Sequence, residues 1–243
     1  MTDQVNTSPQ AQESGMLALT INILTAPGDA FSALQKNPVK LFPLAIICLS
    51  TMLVMFWYFN IVDYDWYIDD AIAGTSALDE QQQEAAREAM GAISQNTMMY
   101  LGTFGGVVGL VLVHVFQAGY LSLASALNGD RYKFTHWFSL VCWTNLPYLL
   151  AVVGMAVNIA ISPNGQLSAY DLNPPSLANL GMQTTNGSVQ TLLNSLNLTM
   201  IWSVALIVAA YKQWLNSSMT KALSVVLAPY VLIFGAWAYF ALN

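Results

Sequence analysis

His114 and Gln117 stand three residues apart in one long apolar run, 100–127, and Asn145 and Asn158 fall in the next, 137–161. Positions three apart on a helix are neighbours on one face, so the imidazole and the amide would act together. A polar side chain at membrane depth is expensive unless it has a partner or faces water. Two kinds of chemistry fit such a set. One is an interhelical hydrogen bond from His114 to Asn145, Asn158 or a hydroxyl. The other is a pathway for a proton, an ion or a small polar solute. Neither run contains an Asp, Glu, Lys or Arg to complete a proton relay.

Other reaction types find no residues to run them. There is no GxSxG nucleophile elbow, no HExxH zinc pair, no P-loop and no CxxC, and the two histidines, His114 and His136, lie apart. The expectation is a non-enzymatic protein with no cofactor and no metal. Carboxylates gather instead between 63 and 95, as Asp63, Asp65, Asp69, Asp70, Asp79, Glu80, Glu84 and Glu88. Hard cations favour such oxygens, but the segment lacks the glycine and terminal glutamate of an EF-hand loop. It reads as a solvated amphipathic helix, or as a mouth that concentrates cations. Cys48 and Cys142 sit in apolar runs and read as small buried hydrophobes. No basic tract points to nucleic acid.

The elements that hold these residues follow from composition. Of 243 residues, 56% are hydrophobic and 8% charged, against about 25% charged in soluble domains. Five runs approach the roughly 20 helical residues that cross a bilayer: 41–62, 100–127, 137–161, 193–215 and 222–242. An all-α integral membrane protein of five transmembrane helices is expected. Lys36 and Lys40 precede the first span, Arg131 and Lys133 join the second to the third, and Lys212 and Lys221 flank the last turn. Only Arg87 falls on the other face. The excess of basic residues marks the cytoplasmic side, so the N-terminus is cytoplasmic, the C-terminus outside, and 63–95 and 162–190 are outer segments. Residues 1–15 read as a disordered tail without the basic region of a signal peptide, and 16–243 as one membrane domain.

Before the first span, Pro27 suits a helix's first turn, and Phe31 and Leu34 share one face that could dip into lipid. Pro38 ends this interfacial helix, and Pro43 fits the first turn of the span. In the second span Gly102 and Gly106 are four apart, as are Gly105 and Gly109. Such small-residue stripes let helices approach closely. The second span therefore reads as the central packing helix, whose stripe could also close a homo-oligomer. Between the second and third spans, Asn128, Gly129 and Asp130 form a tight turn, with Arg131 and Lys133 holding it at the membrane face.

Three stretches together resemble the Yip1 family of five-span membrane proteins. The first is "APGDAFSALQKNP" with the following "FPL", in which Pro27, Phe31, Pro38 and Pro43 hold the family's places. The second is "ALNGDRYKFTHWFSLVCWTNLPYLL", with Gly129, Phe134 and Pro147. The third is "YKQWLNSSMTKAL", a short connector with a basic residue before the last span. Eukaryotic members associate with Rab GTPases in vesicle trafficking, often as oligomers. The Asp-Leu-Tyr-Gly-Pro-type segment characteristic of those members is missing, and the chain looks like a bacterial member of the inner membrane. The resemblance implies a membrane-organising protein that oligomerises or binds lipid or another membrane protein. A small transporter or channel using His114, Gln117, Asn145 and Asn158 is the alternative.

Overall fold

A computed structural model describes residues 15–74, 79–130, 132–162 and 164–242. Most of the expected disordered tail, and Arg131 among the expected topology anchors, lie outside the described residues. Among those described there is no β-strand, only one isolated bridge between Ser176 and Asn197. Four helices are long and apolar enough to cross a membrane.

The chain begins with two short helices, α1 (Met16–Thr25) and α2 (Pro27–Lys36), broken at Ala26 because Pro27 opens the second. The amphipathic face of α2 was expected to dip into lipid. Instead Phe31 and Leu34 are buried against protein, and the Trp214 indole donates to the Phe31 carbonyl at 3.0 Å. Gln213 likewise donates to the Gly28 carbonyl at 2.9 Å. Pro38 separates α2 from α3 (Leu41–Ile61), whose buried residues Pro43, Ile47, Thr51, Val54 and Tyr58 recur every three or four positions. Pro43 sits where no intrahelical N–H bond is due.

The acidic segment forms α4 (Tyr64–Ala73), capped by the Asp63 side chain, and α5 (Glu80–Gly91), whose Asp79 and Gln82 make a reciprocal capping box. No residue of α5 is buried. Arg87 on α5 pairs with Asp69 on α4. The 32-residue α6 (Gln95–Ala126) follows, about 48 Å long at 1.5 Å per residue and so longer than the hydrocarbon core.

Gly129, at φ 79°, makes the turn that returns the chain. The expected third span then runs as α7 (Phe134–Thr144) and α8 (Tyr148–Ile161), broken at Pro147. Pro147 has no N–H for the Trp143 carbonyl, so Leu146 donates to it instead at 3.2 Å. The next three residues also bond back by only three positions, tightening the joint.

The loop expected to lie outside carries a 3₁₀ turn at Ala169–Leu172 and a helix, α9 (Gly187–Ser195). The expected fourth span, 193–215, is shorter than the sequence suggested. Asn197 accepts from the Met200 N–H and starts a new helix, α10 (Leu198–Trp214), of 17 residues. Asn216, at φ 45°, ends α10 in a left-handed cap, with Ser217 N–H on the Lys212 carbonyl at 3.1 Å. The last helix, α11 (Met219–Leu242), carries Pro229 inside it.

The buried centre is α7 and α10, not α6. Trp137, Trp143, Tyr211 and Trp214 meet there with Phe31 and Leu34 of α2. A second, smaller core gathers Tyr58, Phe59, Val152 and Met155 near the end of α3 that leads into α4. On α6, a Cβ at Gly102 would lie 2.6 Å from the Phe59 ring, so that glycine is a true packing position. Gly105, Gly106 and Gly109 have nothing within 4 Å of such a Cβ. The stripe therefore points away from the rest of the chain.

Candidate functional site

Midway along α6, Gln117 is the hinge of a polar belt that joins three helices. Its amide nitrogen donates to the Tyr230 hydroxyl of α11 at 2.5 Å. Its amide oxygen accepts from Asn145 Nδ2 at 3.3 Å. Asn145 is available because it sits at the α7–α8 joint, where it also donates to the Val141 carbonyl at 2.8 Å. One turn before Gln117, His114 is buried, and its Nδ1 lies 2.8 Å from the Leu110 carbonyl of its own helix. A carbonyl only accepts, so Nδ1 carries the proton and Nε2 is left with its lone pair. That Nε2 is buried without a hydrogen-bond partner.

The expected set thus separates. Gln117 and Asn145 meet, while His114 neighbours them on α6 but bonds to its own backbone rather than across helices. Asn158 does not join them. Its side chain donates to the Asp171 carbonyl at 2.7 Å, tying the end of α8 to the 3₁₀ turn of the outer loop. Its role is to hold that loop, and no periodicity in the sequence could reveal it.

Sequence reasoning missed the partners on α11. Proline at 229 removes the N–H that would bond the Val225 carbonyl, and the Tyr120 hydroxyl of α6 donates to that carbonyl at 2.7 Å. Two side chains of α6, three residues apart, therefore reach across to α11 on either side of its proline. The only available signal was Pro229 within an apolar run. Beneath these bridges lies a cleft of 440 Å³, walled by Val113, Phe116 and Leu121 of α6, Ile207 of α10, and Val226 and Ile233 of α11.

The other end of the same helices holds a second, polar cavity of 580 Å³. Asn128, Gly129 and Asp130 of the turn line it with Tyr132, His136, Trp214 and Lys221. Asp130 Oδ1 accepts from the Tyr132 N–H at 3.0 Å, while Oδ2 is buried without a partner. His136 Nδ1 and Trp137 Nε1, a few residues on, are likewise buried and unpaired. Gly129 and Lys221 therefore border a concave site rather than a bare turn. Phe134 stacks on Phe138 at the start of α7, with ring centroids 5.7 Å apart. Lys36, Lys40, Lys133 and Lys212 make no ion pair among the described residues.

At the end of the bundle away from the basic connectors, Asp70 accepts from the Ser168 hydroxyl at 2.7 Å. Burial pushes the nearby Asp171 carboxyl above its ordinary range, opposed by the Ser168 backbone N–H and reinforced by the Asp70 charge. Among the described residues no group of three His, Cys, Asp or Glu side chains converges to hold a metal. Both cysteines are free thiols.

Comparison with known proteins agrees with this architecture at the level of family. No curated protein and no solved structure matches the chain. The family model of the Yip1 domain matches residues 21–240, from α1 through nearly all of α11, and so takes in both cavities and the belt between α6 and α11. The protein is a multi-pass membrane protein that belongs to the Yip1 domain family.

Proposed function

We propose that this is a non-enzymatic membrane-organising protein of the bacterial inner membrane that self-associates through α6. The observation that carries the reading is the outward face of α6, where a Cβ at Gly105, Gly106 or Gly109 would meet nothing within 4 Å among the described residues. Small residues on a lipid-facing helix let a second helix approach to close packing distance, the main attraction between helices in lipid. In this reading α10, at 17 residues and about 26 Å, is the fourth of five spans, in a bilayer thinned around it. The basic connectors then face the cytoplasm, with the N-terminus, and the C-terminus lies outside.

The mass of the purified protein in mild detergent tests the reading. Wild type should be an oligomer and the Gly105→Leu, Gly109→Leu variant a monomer; a monomeric wild type would sink the proposal. A C-terminal alkaline phosphatase fusion should be active, and an inactive one overturns the five-span arrangement. A second reading is favoured by one observation, the unpartnered Nε2 of His114 beside the Gln117 belt. It makes the protein a small transporter or channel. Solute or ion flux in proteoliposomes that disappears in His114→Ala and Gln117→Ala would favour it over organisation alone.

A further inference from the structure

We propose that α6, α10 and α11 bind one aminophospholipid, with an acyl chain in the apolar cleft and the headgroup in the polar cavity. Helices α10 and α11 border both spaces, and the turn that leaves α6 borders the second. Leu121, Ile207 and Val226 wall the cleft, and Asn128, Trp214 and Lys221 border the polar cavity. Moving from one set to the other is five to seven residues along each helix, about 10 Å of rise at most. That is one molecule's reach, directed from the membrane interior toward the face that carries the basic connectors.

The occupant of the cleft follows from its depth. It lies between α6 and α11, two helices long and apolar enough to cross a membrane, and its volume of 440 Å³ falls within the roughly 300–1,000 Å³ of ligand pockets. Apolar matter at that depth is lipid tail. The bridges from Gln117 to Tyr230 and from Tyr120 to Val225 hold the helices apart at a fixed spacing, so the cleft is a built feature of the fold.

The headgroup follows from charge. Lys221 supplies a cation and Asp130 a carboxylate to the same cavity, and neither is in an ion pair among the described residues. A purely anionic headgroup would suit Lys221 and be repelled by Asp130. A choline headgroup carries positive charge but no N–H, and leaves Asp130 Oδ2 without a donor. Phosphoethanolamine satisfies both, its phosphate toward Lys221 and its ammonium toward Asp130, through charge-assisted hydrogen bonds. None of Gly105, Gly106 and Gly109 lines either space.

Native mass spectrometry after lipid exchange tests this, with phosphatidylethanolamine, phosphatidylcholine and phosphatidylglycerol of matched chains offered in equal amounts. Wild type should retain one ethanolamine lipid per chain, at roughly tenfold greater occupancy than either competitor, the discrimination one charge-assisted bond supplies. Val113→Trp with Ile233→Trp fills the cleft from its exposed rims and should abolish retention of all three. Asp130→Asn and Lys221→Gln should retain lipid but lose the headgroup preference. Equal retention of the three lipids by wild type overturns the proposal, and needs no variant to fold. Unchanged retention in the double tryptophan variant, at a native thermal midpoint, overturns it as well.

Discussion

Two helical stretches of equal mean hydropathy meet opposite fates in this fold. Gln95–Ala126 has 17% of its apolar window buried in the chain, whereas Phe134–Ile161 has 56%. The difference lies in side-chain kind. The buried α7 carries Trp137, Ser139, Cys142, Trp143 and Thr144, side chains that pack but also have a polar handle. Ser139 Oγ and Trp143 Nε1 both donate to the Val39 carbonyl, at 2.5 and 2.7 Å, pinning the extended residues before α3. The exposed face of α6 carries Leu101, Val108, Leu112 and Phe116, which offer only surface. Hydropathy tells that a helix is in the membrane; indoles and hydroxyls tell that it faces protein.

The hardest test of that contrast is a pair of truncations. Trp143→Ala should lower unfolding stability by about 3–5 kcal/mol, the range for emptying a fully packed aromatic site. Phe116→Ala, on a side chain 73% exposed, should stay within about 1 kcal/mol, because lipid tails replace what it touched. Denaturation in one detergent compares them, and equal losses would break the distinction. Within α6 the same contrast separates two glycines. Gly102→Ala should cost about 1–3 kcal/mol through overpacking on Phe59. Gly106→Ala should leave the isolated chain unharmed or gain up to about 1 kcal/mol in helix propensity.

A smaller effect sharpens the polar side of the comparison. Gln117→Leu loses its bonds to Tyr230 and Asn145 and should cost about 1 kcal/mol, as membrane hydrogen bonds usually do. The smallest is pH-dependent. Asp171 has a folded-state pKa raised above its ordinary 3.8, so stability it contributes below that pH is lost as pH rises through the raised value. Asp171→Asn should flatten this dependence in thermal unfolding measured from acid to neutral pH. An unchanged slope would detach it from the residue.

Much of the frame was legible because it rests on local rules. Pro27 and Pro38 mark helix boundaries, and Gly129 marks a turn through the positive φ it adopts, whereas the break at Pro147 fell inside what read as one span. The acidic stretch read as a solvated helix, and α5 forms there with no buried residue, its capping box at Asp79 and Gln82 seen only in the structure. What was not legible depends on distance along the chain. The glycine pattern suggested that α6 was central, yet nothing local says whether such a stripe meets its own chain. Asn158 and Gln117 look alike in sequence, and only folding brings one to Asp171 and the other to Tyr230. Asn197 was hidden because an apolar run on both sides masks a cap.

Pro229 has a consequence for biogenesis. A helix released into lipid with the Val225 carbonyl unsatisfied carries a defect that lipid has no means to repair. The donor that repairs it, Tyr120, belongs to a helix made about a hundred residues earlier. The last helix is therefore finished only when it docks on α6, and α6 must already be in place to receive it. Synthesis order and folding order coincide at this joint, and a chain lacking the Tyr120 hydroxyl would present quality-control machinery with a late, membrane-buried lesion.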